Sequence, residues 1–131
     1  MRFLNENKMT GRGEYMKIKE IQELLCAKVI AGGDHLDDDV HSACGSDMMS
    51  DVLAFVKDQA VLLTGLVNAQ VVRTADMMDM KCIVFVRGKV PADEIVKLAE
   101  GMHIVLLTTE ERMYVACGKL YLAGLRGGEM L

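Results

Sequence analysis

Val61-Leu62-Leu63-Thr64-Gly65 is a short apolar run that stops at Thr-Gly and passes at once into a helical pattern. The unit returns twice. Cys82-Ile83-Val84-Phe85-Val86 closes on Arg87-Gly88, and Ile104-Val105-Leu106-Leu107 closes on Thr108-Thr109. Apolar runs of this length without alternation mark strands covered on both faces, and each is followed by helical spacing, so the repeating unit is strand–loop–helix at intervals of about 20 residues. Strands joined this way lie parallel, and right-handed crossovers place the helices over the sheet. The predicted fold class is α/β, a small parallel β-sheet core flanked by helices, with the strand ends aligned on one edge.

Each repeat carries its own helix signals. After Gly65, Asn68 is placed as an N-cap, and Val71, Ala75 and Met78 fall on one helix face. After Gly88, Pro91 suits a first turn, Asp93 and Glu94 suit the positive helix end, Ile95, Leu98 and Ala99 form the buried stripe, and Gly101 ends the helix. In the third unit Thr108 and Glu111 have capping-box spacing, followed by a stripe of Met113, Cys117, Leu120 and Gly124, and Gly127-Gly128 closes the fold. Upstream, Ile18, Ile21, Leu24 and Leu25 mark a short amphipathic helix. Residues 27–31 read as a strand broken by Gly32-Gly33, and residues 40–44 as a second short strand. Gly45-Ser46-Asp47-Met48-Met49-Ser50-Asp51 offers three N-caps, Ser46, Asp47 and Ser50, for a helix that turns Val52, Leu53 and Phe55 inward. Residues 1–15 are polar and aperiodic and are expected to be a disordered tail; residues 16–126 form the single domain, with Met16 a candidate start, and residues 127–131 are expected to be a flexible end.

A chain of 131 residues suits one domain, and 51% hydrophobic residues supply a core. Aromatics are 5% and Trp is absent, so that core is aliphatic, with the 11 Met residues as fillers of irregular gaps. A net charge of −4 argues against nucleic acid as partner. No apolar run reaches the length of a membrane span, and the N-terminus lacks the apolar segment of a signal peptide, so the expected location is cytoplasmic. Cys26, Cys44, Cys82 and Cys117 are scattered, without a Cys-x-x-Cys pair, and read as free thiols, mostly buried.

In open α/β sheets ligands sit outside the carboxyl ends of the strands. Thr64, Gly65 and Asn68, then Arg87, Gly88 and Lys89, then Thr108 and Thr109 all fall on that edge. Hydroxyls, helix N-termini and cations together suit a phosphate or carboxylate. The alternative is ordinary loop chemistry, in which Thr and Asn cap helices and Gly turns the chain; Arg87 alone tilts towards a ligand. A second candidate, an interface or pocket, is Ser46, Asp47, Met48, Met49 and Ser50, with a capped helical turn as its alternative. The loop from Asp34 to His41 has neither the oxygen spacing of a calcium loop nor a tetrahedral Cys/His set, so no metal and no cofactor is assigned. His103 has no nucleophile near it in sequence, and Gly-x4-Gly-Lys-Ser/Thr is absent, so no catalytic residue is assigned.

The order of these motifs resembles the DRTGG domain family. The resemblance is carried by the opening helix, the Val-Ile strand with Gly-Gly-Asp-His-Leu-Asp after it, the stretch Gly45 to Asp51, Leu62-Leu63-Thr64-Gly65, Val84-Phe85-Val86-Arg87-Gly88 leading to Pro91, and Ile104-Val105-Leu106-Leu107-Thr108-Thr109. It spans roughly residues 16–125. Such domains resemble the N-terminal domain of HPr kinase/phosphorylase and, more remotely, that of Mur ligases; they occur beside CBS domains, within phosphotransacetylase-type proteins and alone, and stand-alone members are often encoded near iron hydrogenase or related redox proteins. The resemblance implies a non-catalytic regulatory or ligand-sensing module that homodimerises, with a link to redox or hydrogenase metabolism. Where the family carries Asp-Arg after the first Gly, this chain has Leu66-Val67, and where it carries Thr-Gly-Gly, this chain has Val86-Arg87-Gly88. Arg87 either substitutes for the lost polar pair or the edge is structural.

Two expectations follow. The first is a homodimeric regulatory module whose interface includes Met48 and Met49 and the helix face bearing Met77 and Met80, with a possible protein partner besides. The second is a binding protein for a small anionic or nucleotide-like ligand at Thr64, Arg87 and Thr108.

Overall fold

A computed structural model describes residues 15–56 and 59–128. The three apolar runs are strands β5 (Ala60–Thr64), β6 (Cys82–Phe85) and β7 (Val105–Thr108), and every residue in them is buried. They pair in parallel as neighbours, with Val61 opposite Cys82 and Thr64 opposite Phe85, then Cys82 opposite Val105 and Phe85 opposite Thr108. Strand β4 (Ser42–Gly45) adds to β5 in parallel, and strand β2 (Lys28–Ala31) adds to β7 antiparallel, giving the order β2-β7-β6-β5-β4. The sheet is therefore mixed at one edge and parallel through its core. A separate two-residue ladder joins β1 (Met16–Lys17) to β3 (Asp39–Val40).

Side chains alternate along each central strand, so one sheet builds two cores. Val61, Leu63, Val84, Val105 and Leu107 face helix α1 (Ile18–Leu25) and helix α5 (Met113–Leu122), whose Ile18, Ile21, Leu25, Ala116 and Leu120 are buried there. Leu62, Ile83, Phe85 and Leu106 face α2 (Met49–Phe55), α3 (Ala69–Met77) and α4 (Asp93–Gly101) through Val52, Val71, Ala75, Ile95 and Ala99. The result is three layers, helix–sheet–helix. Burying a Leu, Ile, Val or Phe side chain contributes about 1.5–3 kcal/mol, so this double-sided burial is the main term holding the domain together. Among the described residues no helix is long and apolar enough to cross a membrane.

The helix ends show where local signals were obeyed. Asn68 caps α3, its Oδ1 accepting from Val71 N at 3.1 Å. Asp93 and Glu94 occupy the first turn of α4, with Pro91 just ahead of its cap, Ala92. Gly101 is the last residue of α4, and the chain leaves through His103 in the left-handed region, φ 59. The Thr108–Glu111 capping box does not form, because Thr108 is still paired in the sheet, opposite Phe85 and Lys28; α5 starts only after Arg112. Its buried positions are Ala116 and Leu120, with Met113 and Cys117 half-buried, and Gly124 lies beyond the helix at φ 112. The N-cap of α2 is Met48, with no side-chain cap; Ser46 Oγ accepts from Met48 N at 2.9 Å in a tight turn before it. Val52 is buried as expected and Leu53 is exposed. The expectations for residues 1–14 and 129–131 and for the Phe55 side chain lie outside the described residues.

Gly32 shows a constraint that periodicity does not display. It sits at φ +79, and a Cβ there would lie 2.9 Å from Val105 Cα. Strand β2 can therefore leave the sheet across β7 only through a residue without a side chain. Gly32→Ala is expected to lower stability by about 2–4 kcal/mol, combining left-handed strain with overpacking against backbone. A urea titration followed by circular dichroism checks this: the midpoint falls at unchanged slope.

Candidate functional site

The register of β5, β6 and β7 brings Thr64, Phe85 and Thr108 level, so the loops after them open on one edge. The Thr64 hydroxyl donates to Asp47 Oδ1 at 3.0 Å, and Gly65 N donates to the same oxygen at 2.7 Å. Thr64 Oγ1 in turn accepts from Leu66 N at 3.1 Å. Asp47 thus ties the β4–α2 loop to the end of β5, joining one residue of the second candidate region to the first. It is a sheet-edge ligand of its own chain and caps no helix.

Arg87 reaches the same point from the neighbouring strand. A Cβ at Gly65 would lie 2.7 Å from Arg87 Nη2 and 3.6 Å from Asp47 Oδ1, so the guanidinium occupies the place that a side chain at residue 65 would take. Among the described residues no carboxylate pairs with Arg87 within salt-bridge distance, although Asp47 shares the surroundings of Gly65 with it. Its backbone is left-handed, φ 59, a conformation rare for a side-chain-bearing residue, and Gly88 follows at φ +69. The turn is held because Arg87 N donates to Glu111 O and Gly88 N to Thr109 O, both at 2.8 Å. A Cβ on Gly88 would meet the Glu110 carboxylate at 2.9 Å.

The remaining edge residues are bonded inward. Thr108 Oγ1 donates to Lys89 O at 2.7 Å, and Thr109 Oγ1 donates to Leu25 O at 2.7 Å while accepting from Glu111 N at 3.2 Å. Asn68 uses its carbonyl oxygen as the α3 cap. Sequence reasoning places Thr64, Gly65, Asn68, Arg87, Gly88, Thr108 and Thr109 on one edge, and the structure does bring them there; it also gives most of their polar atoms partners within the chain. Among the described residues of this edge, the exposed side chains of Arg87 and Lys89 are the cations not paired within the chain. Asp47 and Glu110 are the edge groups that sequence reasoning did not assign to this place, since the first lies across a strand and the second follows Thr109 without motif.

Of the second candidate region, Met49 is buried under the sheet and Met48 is exposed; Ser46 closes its own turn, and Ser50 is an exposed residue of the first turn of α2. On α3, Met77 is exposed, while Met80 beyond it is buried, so neither methionine pair forms a continuous outer surface. The acidic loop carries a 3-10 turn, Gly33–His35, with His35 Nδ1 at 3.5 Å from Asp38 Oδ2. Among the described residues no group of three or more His, Cys, Asp or Glu is placed to hold a metal ion.

The thiols divide by environment. Cys26 is exposed at the left-handed end of α1, against the expectation of burial, because it terminates the helix and its side chain has no core to enter. Burial pushes the Cys82 thiol well above the usual range. Burial also raises Cys44, with smaller contributions from Cys117 and Asp51, and burial raises Cys117, which lies 3.7 Å from Met113 Sδ. Lys119 is raised by its bond to Glu111.

Two outcomes are expected. Asp47→Ala should cost about 1–2 kcal/mol in chemical denaturation by leaving Thr64 and Gly65 without their acceptor, and Asp47→Asn, which keeps an acceptor oxygen, should cost less than half of that. In a time course with a thiol-reactive chromophore at neutral pH, Cys26 reacts first, Cys44 and Cys117 slowly with a rate that climbs with pH, and Cys82 only after unfolding, since thiolate is the reactive form.

Among solved structures, the CBS and DRTGG domains of the regulatory region of Clostridium perfringens pyrophosphatase, complexed with the activator diadenosine tetraphosphate, have a similar fold. The TM-score is 0.67 at 14% identity, and the match covers 88% of this chain and 52% of that one. No curated protein matches this chain. The DRTGG domain pattern matches residues 20–122, from within α1 to the end of α5 and so through every strand of the main sheet. With the five-stranded mixed sheet and the motif order running across it, this chain belongs to the DRTGG domain family.

Proposed function

We propose that this domain is a non-catalytic sensing module for a small anionic, nucleotide-like ligand whose negatively charged group binds Arg87 at the carboxyl edge of the sheet. The observation that carries the reading is the Arg87 guanidinium: it is laid over Gly65, without a paired carboxylate among the described residues, on a left-handed backbone that the 109–111 loop holds in place. A residue kept in that conformation, where only the surrounding structure sustains it, is a recurrent feature of ligand clamps. A guanidinium presents a planar fork of donors suited to phosphate or carboxylate. The regulatory region of the Clostridium perfringens pyrophosphatase, similar in fold, is complexed with a dinucleotide activator, which supports a nucleotide as the first ligand class to test. The Asp47 carboxylate meets the same side of Gly65 as the guanidinium and would disfavour a dense polyanion placed directly on it, so the reading favours one phosphate group at Arg87 with the rest of the ligand over Leu66 and Val67.

The same reading makes the module a homodimer, since a sensor of this size transmits ligand binding most directly by changing how two copies meet. A link to hydrogenase or redox metabolism rests on the family resemblance alone.

The test is a thermal-shift series with AMP, ATP and diadenosine tetraphosphate at about 1 mM. Ligand at 100 times its dissociation constant stabilises by about 2.7 kcal/mol, a rise of several degrees in Tm for a domain of this size. Arg87→Gln should abolish the rise for the binding nucleotide while leaving the unliganded Tm within about 2 °C of the parent. Absence of any shift with all three nucleotides, confirmed by calorimetric titration, would count decisively against the ligand assignment.

A further inference from the structure

Helix α5 is apolar on two opposite sides. Ala116 and Leu120 enter the core, yet Tyr114, Val115, Tyr121 and Leu122 are 89%, 43%, 54% and 60% exposed. Between them lies Gly118, where a Cβ would meet nothing within 4 Å. The helix has one charged side chain, Lys119, and it is turned aside into its bond with Glu111. A helix apolar all round belongs between two packed layers, and the sheet supplies only one.

We infer that this outer face of α5 is the surface through which two copies of the chain associate, antiparallel across a twofold axis at Gly118. The inference rests on the homodimer reading given above and names its surface. The sequence around Gly118 is nearly palindromic in character: Tyr114 and Val115 stand four and three residues before it, Tyr121 and Leu122 three and four after. A twofold axis through Gly118 therefore sets Tyr114 of one copy against Leu122 of the other, and Val115 against Tyr121, with each contact made twice. Such self-complementarity is what an isologous interface requires. A glycine at the crossing point allows the helix axes to approach closely, and the one charge against the patch, the Arg126 guanidinium over Tyr121, lies at its rim.

The area agrees with a second copy as occupant. With aromatic side chains carrying about 150–250 Å² each, the exposed parts of these four residues and Gly118 sum to roughly 500 Å². That is a large patch for the surface of a monomer. Two copies would bury about 1,000 Å², the size a specific interface must reach and the low end of the class to which weak, transient associations belong. Arg126, its guanidinium carbon 4.0 Å from the Tyr121 ring centroid, sits at the rim of the patch and leaves its centre uncharged. An uncharged centre suits a copy of itself better than an acidic or basic partner. Of the methionine surfaces expected to form the interface, Met49 and Met80 are buried, while Met48 and Met77 are exposed singly at the N-cap of α2 and on α3.

Sedimentation velocity of the full chain from about 1 μM to about 500 μM tests this across the range expected for a small interface. The expected result is a concentration-dependent monomer–dimer equilibrium that Gly118→Lys weakens at least about tenfold and that Tyr114→Ala also weakens. The fold separates the two effects of Gly118→Lys. Lysine is a better helix former than glycine at an open position, so the melting temperature of the dilute monomer rises while dimerisation falls. A dimer of unchanged affinity in Gly118→Lys overturns this surface and leaves the homodimer reading standing. A strict monomer over the whole range overturns both, and so does a monomer that instead co-sediments with vesicles of anionic phospholipid through Tyr114.

Discussion

The domain depends on three strands that are buried on both faces. In such a position every backbone N–H and C=O must find its partner in a neighbouring strand, because neither water nor a side chain is within reach. The pairing of β5, β6 and β7 in parallel register meets that demand, and it fixes the rest by geometry. Residues alternate to the two sides, so one set of five apolar positions calls for α1 and α5 and the other for α2, α3 and α4. The same register makes the strands end level, and the loops that follow must share one edge. Arg87 meets Gly65 only because Phe85 is opposite Thr64.

That edge differs from the phosphate-binding loops common in α/β proteins. Those recognise anions with free backbone N–H groups at a helix N-terminus or in a nest. Here Gly65 N is occupied by Asp47, and Arg87 N and Gly88 N are occupied by the carbonyls of Glu111 and Thr109. The backbone donors stabilise the loops, which leaves side chains as the groups with which this edge could meet an anion. The pair Leu66-Val67, which stands where the family carries Asp-Arg, is packed partly against the second core. Under the proposed reading, polar residues exchanged for packing at one loop and an arginine at the next would shift the site from β5 towards β6.

The outer face of α5 and the sheet edge lie at different parts of the domain and obey different physics. The edge is polar, with most of its groups other than the Arg87 guanidinium already bonded, and its conformation is held by loop hydrogen bonds. The α5 face is apolar and, apart from Arg126 over Tyr121, is not covered by the described residues. Hydrophobic association is non-directional and scales with area, so a patch of this kind finds a partner through shape and symmetry rather than through specific bonds.

What the sequence by itself determined is whatever near neighbours decide. The apolar runs mark β5, β6 and β7 to within a residue or so, the i, i+4, i+7 spacing marks α3, and Asn68 is recognisable as a cap because its acceptor is three residues away. The family followed from the order of these local signals. Only the tertiary structure decided the contacts between distant residues. Asp47 reaches Thr64 over 17 positions and Thr109 reaches Leu25 over 84, and nothing in either local stretch encodes the partner. Thr108 has the spacing of a capping box and does not act as one, because pairing with β6 and β2 holds it in the sheet and overrides a local preference worth about 1 kcal/mol. The stripe of α5 names Leu120 correctly, with Met113 and Cys117 half-buried against the same core, and omits Ala116: with apolar residues all round the helix, periodicity leaves the centre of the buried side open, and packing against Val61, Leu63 and their neighbours sets it at Ala116 and Leu120.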